Sequence, residues 1–310
     1  MAIQKKGHTS LSHLYILVLG ISLSFGLGFP QYGIYLFPFI TFLLGCIFFF
    51  SALKLHLKDI KESAHDIKTI SLAVILKLII LPIVVYYTAL IITPSLAIPF
   101  LLLAAMPTAM TAPLFTTMAH GKQSFSLVLS IVTSLLAPLT IPLIIQFLVK
   151  SSISVDIIDM CIRLILIIFL PIALAEGIKK FAPRIAKKVT SAARAGSLGA
   201  LGLLLTGVTA VHASTIINTV LTEPAKFLIP LAIFFLLTHV IGYSVFFWLK
   251  FKKRVAATVS IAYMNFTLAI YLSTAFFPDH SVLIPIIISA IPWSIAIIPF
   301  AEIAAHHESA

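Results

Sequence analysis

Acidic residues are scarce in this chain. Asp and Glu together number 10 in 310 residues, against 21 Lys and Arg. All of them fall in loops or near the ends of apolar runs, which leaves no carboxylate in the middle of one. Cysteine is scarcer still. Cys46 and Cys161 both lie in apolar runs, which excludes a disulfide framework or a cysteine metal cluster. There is no Gly-rich phosphate loop, no nucleophile elbow and no metal-ligand spacing, so enzyme chemistry has no support and no cofactor is expected. Charge of either sign makes up only 10% of the chain, while 60% is hydrophobic. With a mean hydropathy of +1.14, the balance is that of a polytopic membrane protein in a lipid bilayer.

What charge there is has a pattern. The net charge of +11 could suggest a nucleic-acid partner, but the cations cluster in short loops between apolar runs, which argues against one. We read ten spans, at about 11–29, 33–53, 70–92, 95–119, 124–149, 155–177, 197–221, 226–249, 255–277 and 281–304. Each is long enough to cross the hydrocarbon core. The first follows Lys5 and Lys6 but has no A-x-A-like cleavage site, so it counts as a span rather than a signal peptide.

With the N-terminus inside, the inner loops carry Lys54, Lys58, Lys61, Lys68, Lys122, the run from Lys179 to Arg194, and Lys250 to Arg254. The outer loops carry only Lys150 and Lys226, and Lys77 and Arg163 remain within spans. This bias places both termini in the cytoplasm. Short loops and the lack of an appended domain suggest a prokaryotic inner membrane. Ten spans divide into two sets of five, so the second set enters upside down. The expected organisation is one transporter domain over 1–310, with inverted repeats of about 1–150 and 151–310. The seventh span carries Ala195, Gly199, Gly202 and Gly207, spaced for close helix packing.

The informative stretch is Ala104 to Leu143. It holds Pro107, Pro113, Pro138 and Pro142 and pivots on His120-Gly121-Lys122. Proline removes its own N–H and frees the carbonyl four residues earlier, here those of Leu103 and Ala109. In lipid this requires protein or a wet cavity to satisfy the freed groups. The fourth span is therefore expected to break between Pro107 and Pro113. The ninth span has no proline, but Ser260, Asn265 and Thr267 interrupt its apolar run.

The run Pro107-Thr-Ala-Met-Thr-Ala-Pro113, the spaced Ser126, Ser130 and Thr133, and Leu135-Leu-Ala-Pro-Leu-Thr-Ile-Pro142 together resemble the bile acid:sodium symporter family. Asn265 matches the Asn of that family's Glu-x-x-x-Gln-Asn segment. The resemblance covers all ten spans. It implies an all-α membrane fold with spans 3–5 and 8–10 as a core, spans 1, 2, 6 and 7 as a panel, and spans 4 and 9 broken and crossing. It also implies alternating access and a small organic anion as substrate. Thr108, Met110, Thr111, Asn265, Phe266 and Thr267 would lie at the substrate.

The departures bear on ion coupling. The family's sodium-ligand Ser-Asn pair falls on Ala112 and Pro113, its glutamate near Ser260, the following glutamine on Met264, and its third-span glutamine on Lys77. Ser126 and Ser130 are kept. A hard cation needs several oxygens, and an ammonium nearby repels it. The expectation is a sodium-independent transporter in which Lys77 replaces a sodium ion, hydrogen-bonding Ser126, Ser130, Ser260 and backbone carbonyls. A buried lysine can lose its proton near neutral pH, which would permit proton coupling.

Three alternatives stand beside this. Sodium coupling would use Thr111, Ser126, Ser130 and carbonyls. A cation/proton antiporter of similar design would need the missing mid-membrane carboxylate. A membrane receptor would bind its ligand without moving it. Arg163 and Asp159 read as a local i,i+4 pair, and His212 and His239 as packing or hydrogen-bonded residues.

Overall fold

The fold is that of a computed structural model, which describes residues 2–54, 66–149, 156–220, 222–277 and 280–309. Lys58, Lys61, Lys150 and the outer loop expected to divide the repeats lie outside the described residues. Among those described, every regular element is a helix, apart from one isolated backbone bridge between Thr108 and Met264.

The helices in order are α1 (Ala2–Gly28), α2 (Pro30–Leu53), α3 (Ile67–Ile92), α4 (Ala97–Ala105), α5 (Ala112–Met118) and α6 (Gln123–Val149). They continue as α7 (Ile157–Phe181), α8 (Pro183–Val211), α9 (Ala213–Val220), α10 (Pro224–Val245), α11 (Phe251–Ala262), α12 (Phe266–Phe276) and α13 (Ser281–His307). Of these, α2, α3, α6, α7, α8, α10 and α13 are each long and apolar enough to cross a bilayer. Leu14–Gly28, Pro94–Ala105 and Phe266–Phe276 are shorter apolar helices. The protein is an all-α integral membrane protein.

The basic run from Lys179 to Arg194, expected as a loop, is almost wholly helical. Nothing between Pro183 and Arg194 breaks a helix, and Lys, Arg and Ala are good helix formers. Pro183 sits in the first turn, where its missing N–H is harmless. The connection between α7 and α8 shrinks to Ala182. The tenth apolar run bends twice, at Ser289 and Ala296. Arg163 and Asp159 form their exposed i,i+4 pair at 2.8 Å.

The chain divides into two compact units. One holds α3–α6 and α10–α13. The other holds most of α1 together with α2 and α7–α9. In the second unit α8 packs along α2 through close backbone approach. A Cβ on Gly33 would stand 2.6 Å from the Ala210 Cβ, and one on Gly207 would stand 3.0 Å from the Leu36 Cβ. Gly202 faces Ser22 Oγ, with 3.0 Å left for a Cβ. The expected small-residue face is thus only half used: Gly199 opens on empty space and Ala195 is exposed, while Gly196 meets the Phe50 ring. Gly196 and Gly207 are about three turns apart and so share a face that Gly199 does not.

Gly33→Ala should therefore destabilise this unit. The new methyl meets a rigid methyl and, at 3.2 Å, the Thr206 carbonyl, neither of which can swing away. The expected loss is about 2 kcal/mol, read as a drop in the thermal midpoint. Gly20→Ala, with nothing within 4 Å, is the control and should be neutral or better. A Gly33→Ala protein as stable as wild type would refute the close-packing account.

Candidate functional site

The site is built where two helices stop short. α4 ends at Ala105 because Met106 precedes a proline and takes an extended backbone, with φ −66° and ψ 144°. The Leu103 carbonyl, freed by Pro107, accepts instead from Met106 N at 3.3 Å. The Ala109 carbonyl, freed by Pro113, accepts from Ala112 N at 2.9 Å and from Ser130 Oγ at 3.1 Å. Pro113 itself lies in the first turn of α5, where a proline is at home.

The second break needs no proline. Asn265 caps α12, its Oδ1 accepting from Leu268 N at 3.2 Å and from Thr267 Oγ1 at 2.7 Å. The two interruptions then pair with each other in antiparallel fashion. Ala109 N donates to the Tyr263 carbonyl and Asn265 N to the Pro107 carbonyl, both at 2.8 Å. Thr108 clamps the pairing from the side. Its N–H donates to Thr133 Oγ1 at 3.1 Å, and its hydroxyl to the Ser260 carbonyl at 2.7 Å. Backbone groups that a broken helix would leave bare in lipid are thus met within the protein.

Lys77 approaches this crossing from α3. The helix widens to a π-type turn over Leu76–Ile80, just ahead of Pro82, which has no N–H to give. The side chain is 1% exposed. Its ammonium donates to the Ala104 carbonyl at 3.3 Å. That carbonyl lies in the last turn of α4, where the helix dipole is negative. The expected bonds to the serines are not made. Ser260 Oγ lies 3.0 Å from Ser126 Oγ and 2.7 Å from the Ala256 carbonyl, and Ser130 Oγ lies 3.0 Å from the Ser126 carbonyl. Serine hydroxyls one turn from a carbonyl satisfy themselves on their own helix, so they do not need the lysine.

The remaining sequence candidates sort by exposure. Thr108 and Phe266 are interior, the latter against the Trp293 ring at 4.9 Å between centroids. Asn265 and Thr267 are buried at the cap, while Met110 and Thr111 are half-buried. Ala112 and Pro113 are buried and bring no side-chain oxygen. The sequence profile of the SBF-like CPA transporter family matches residues 14–299.

The chain belongs to that family. This SBF-like protein is a membrane transporter related to the bile acid:sodium symporters, not an enzyme, and it handles a small solute in the bilayer. No curated protein matches the chain.

Two residues of this family member have roles that the sequence alone does not disclose. Thr133 is the first: its hydroxyl accepts from Thr108 and donates to the Leu129 carbonyl at 2.6 Å. Its spacing from Ser126 and Ser130, about one turn each time, was the available signal. Tyr263 is the second. Its ring packs on Phe115 at 4.8 Å, His239 at 5.3 Å and Trp293 at 5.4 Å, tying α5, α10 and α13 to the break that follows α11. Nothing in its local sequence marks it out.

The loop after α5 is tightly held. His120 has φ 59°, left-handed for a side-chain-bearing residue. Gly121 N donates to the Thr116 carbonyl and Lys122 N to the Lys252 carbonyl, both at 2.7 Å. A Cβ on Gly121 would come within 2.9 Å of Val255 Cγ1 on α11.

Proposed function

We propose that this protein moves a small organic anion across the membrane by alternating access, without sodium, and that Lys77 occupies the place of a coupling ion. The observation that carries this is the buried Lys77 ammonium on the Ala104 carbonyl, at the broken end of α4. A positive charge held at a helix break by a carbonyl is part of what a bound sodium would supply. Here the cation is covalently attached and stays put. Among the described residues no Asp or Glu is buried, which leaves the ammonium's charge available to favour an anion.

In this reading the chain is one transporter domain of ten spans. α4 with α5 forms one interrupted span, and α11 with α12 the other. The antiparallel pairing of the two breaks is what inverted repeats of about 1–150 and 151–310 would produce. The division into α3–α6 with α10–α13, and α1, α2 with α7–α9, supports a core and a panel. Met110 and Thr111, which are half-buried, together with Asn265 are the groups we assign to the substrate. Both termini lie in the cytoplasm of a prokaryotic inner membrane.

The CPA label in the family's name favours a second reading, cation–proton exchange. The absence of a buried carboxylate among the described residues gives such a cation no charged ligand.

A thermal-shift series tests the proposal. Replacing potassium by sodium should leave the wild-type midpoint unchanged, while a panel of carboxylate and sulfate anions should contain stabilisers. Lys77→Gln restores an oxygen in place of the ammonium. It should gain a sodium-dependent rise of roughly 3 °C, the shift that about 1 kcal/mol of linked binding gives a chain of this size. Sodium stabilisation of the wild type, or no sodium response in the variant, would overturn the assignment of Lys77.

A further inference from the structure

The turn between α10 and α11 gathers cations that the transport site does not use. Residues 250–254 read Lys-Phe-Lys-Lys-Arg. Two of the four basic groups are turned inward. Lys253 Nζ pairs with Asp66 Oδ2 at 2.6 Å. Arg254 lies 3.6 Å over the Tyr243 ring and donates to the Tyr243 carbonyl at 2.7 Å. These contacts fix the turn. Lys250 and Lys252 stay exposed.

A third exposed cation joins them from a distant part of the chain. Lys122 N donates to the Lys252 carbonyl, so the two backbones are in register and their side chains leave from neighbouring points. Like charges placed side by side repel. Beside them stand two large exposed rings, Phe247 at 70% and Trp248 at 51%, meeting edge to face at 5.3 Å. Phe246, fully buried, anchors the pair. Aromatic rings of this kind favour the boundary between hydrocarbon and headgroups.

We propose that this turn binds an anionic phospholipid, with the headgroup phosphate among Lys122, Lys250 and Lys252 and the acyl chains along Phe247 and Trp248. Charge complementarity selects the headgroup, and the adjoining rings select a lipid over a free anion. The inference rests on the chain's place in the membrane and not on the role of Lys77. A bound lipid would brace both broken spans together, because Lys122 follows α5 and Lys252 opens the helix that leads to the second break.

The test uses the full chain in neutral detergent. Short-chain phosphatidylglycerol, phosphatidylcholine and inorganic phosphate are titrated against the thermal midpoint, and co-purifying lipid is counted by native mass spectrometry. Phosphatidylglycerol should stabilise the protein and be retained, while phosphatidylcholine and phosphate should do neither. A variant with Lys122, Lys250 and Lys252 all changed to Gln should keep its midpoint in phosphatidylcholine. Its phosphatidylglycerol affinity should fall about a hundredfold, since each lysine near an anionic surface contributes roughly fivefold. Equal effects of the two lipids, equal stabilisation by phosphate, or undiminished selectivity in the triple variant would each overturn the proposal. A sodium response at Lys77 leaves it untouched.

Discussion

Lys77→Met should make the protein more stable and abolish its anion binding. The ammonium is fully buried and gives one hydrogen bond, to the Ala104 carbonyl. A charge-assisted bond of that kind is worth roughly 1.5–3 kcal/mol. Taking an uncompensated charge out of water costs several. Methionine has almost the same length and fills the same volume without the charge, so no cavity opens. The net gain should be about 2 kcal/mol, seen as a midpoint several degrees higher. Binding of the anions that stabilise the wild type should be lost in the same variant. A lysine kept only as a structural plug would give the opposite pair of results, a lower midpoint with anion binding intact.

Asn265→Ala carries the second large effect. The Asn265 side chain caps α12 and receives the Thr267 hydroxyl, and both residues are buried. Losing an N-cap costs about 1 kcal/mol, and each buried donor left without an acceptor adds about 1–3. The expected loss is about 3 kcal/mol by thermal unfolding. Asn265→Asp keeps the capping oxygen and should recover most of that stability. It also removes the amide donor and adds a negative charge, so anion-induced stabilisation should vanish. If Asn265→Asp binds anions as the wild type does, Asn265 has no part in substrate recognition.

The sequence disclosed the first break and only hinted at the second, for a physical reason. Pro107 and Pro113 remove N–H groups, an effect that any single chain displays on its face. The break at Tyr263–Asn265 is made by a side-chain cap and by a partner strand 152 residues away in the Thr108–Ser260 contact. Long-range pairing of that kind leaves no local pattern. The placement of Lys77 near the crossing was legible from its match to the family's glutamine. Its bond to Ala104, and not to the serines, was not. Whether a serine such as Ser130 turns to its own helix or outward is decided by rotamers that spacing does not encode. The helical stretch from Pro183 to Arg194 was hidden by its charge, since a basic segment between apolar runs looks like a loop unless its helix propensity is weighed.

The paired breaks also bear on how the protein is made. The α4–α5 interruption emerges from the ribosome long before its partner, with the 152 residues between Thr108 and Ser260 still to be synthesised. At ordinary translation speeds that is a wait of roughly 8–30 s. Through that interval the N–H of Ala109 and the carbonyl of Pro107 have no strand to join, inside a membrane that offers them nothing. The first half must therefore linger at the insertion machinery, or in a hydrated pocket there, until α11 and α12 arrive. Biogenesis of this transporter is then a two-appointment event, and a chain truncated before α11 should fail to integrate stably.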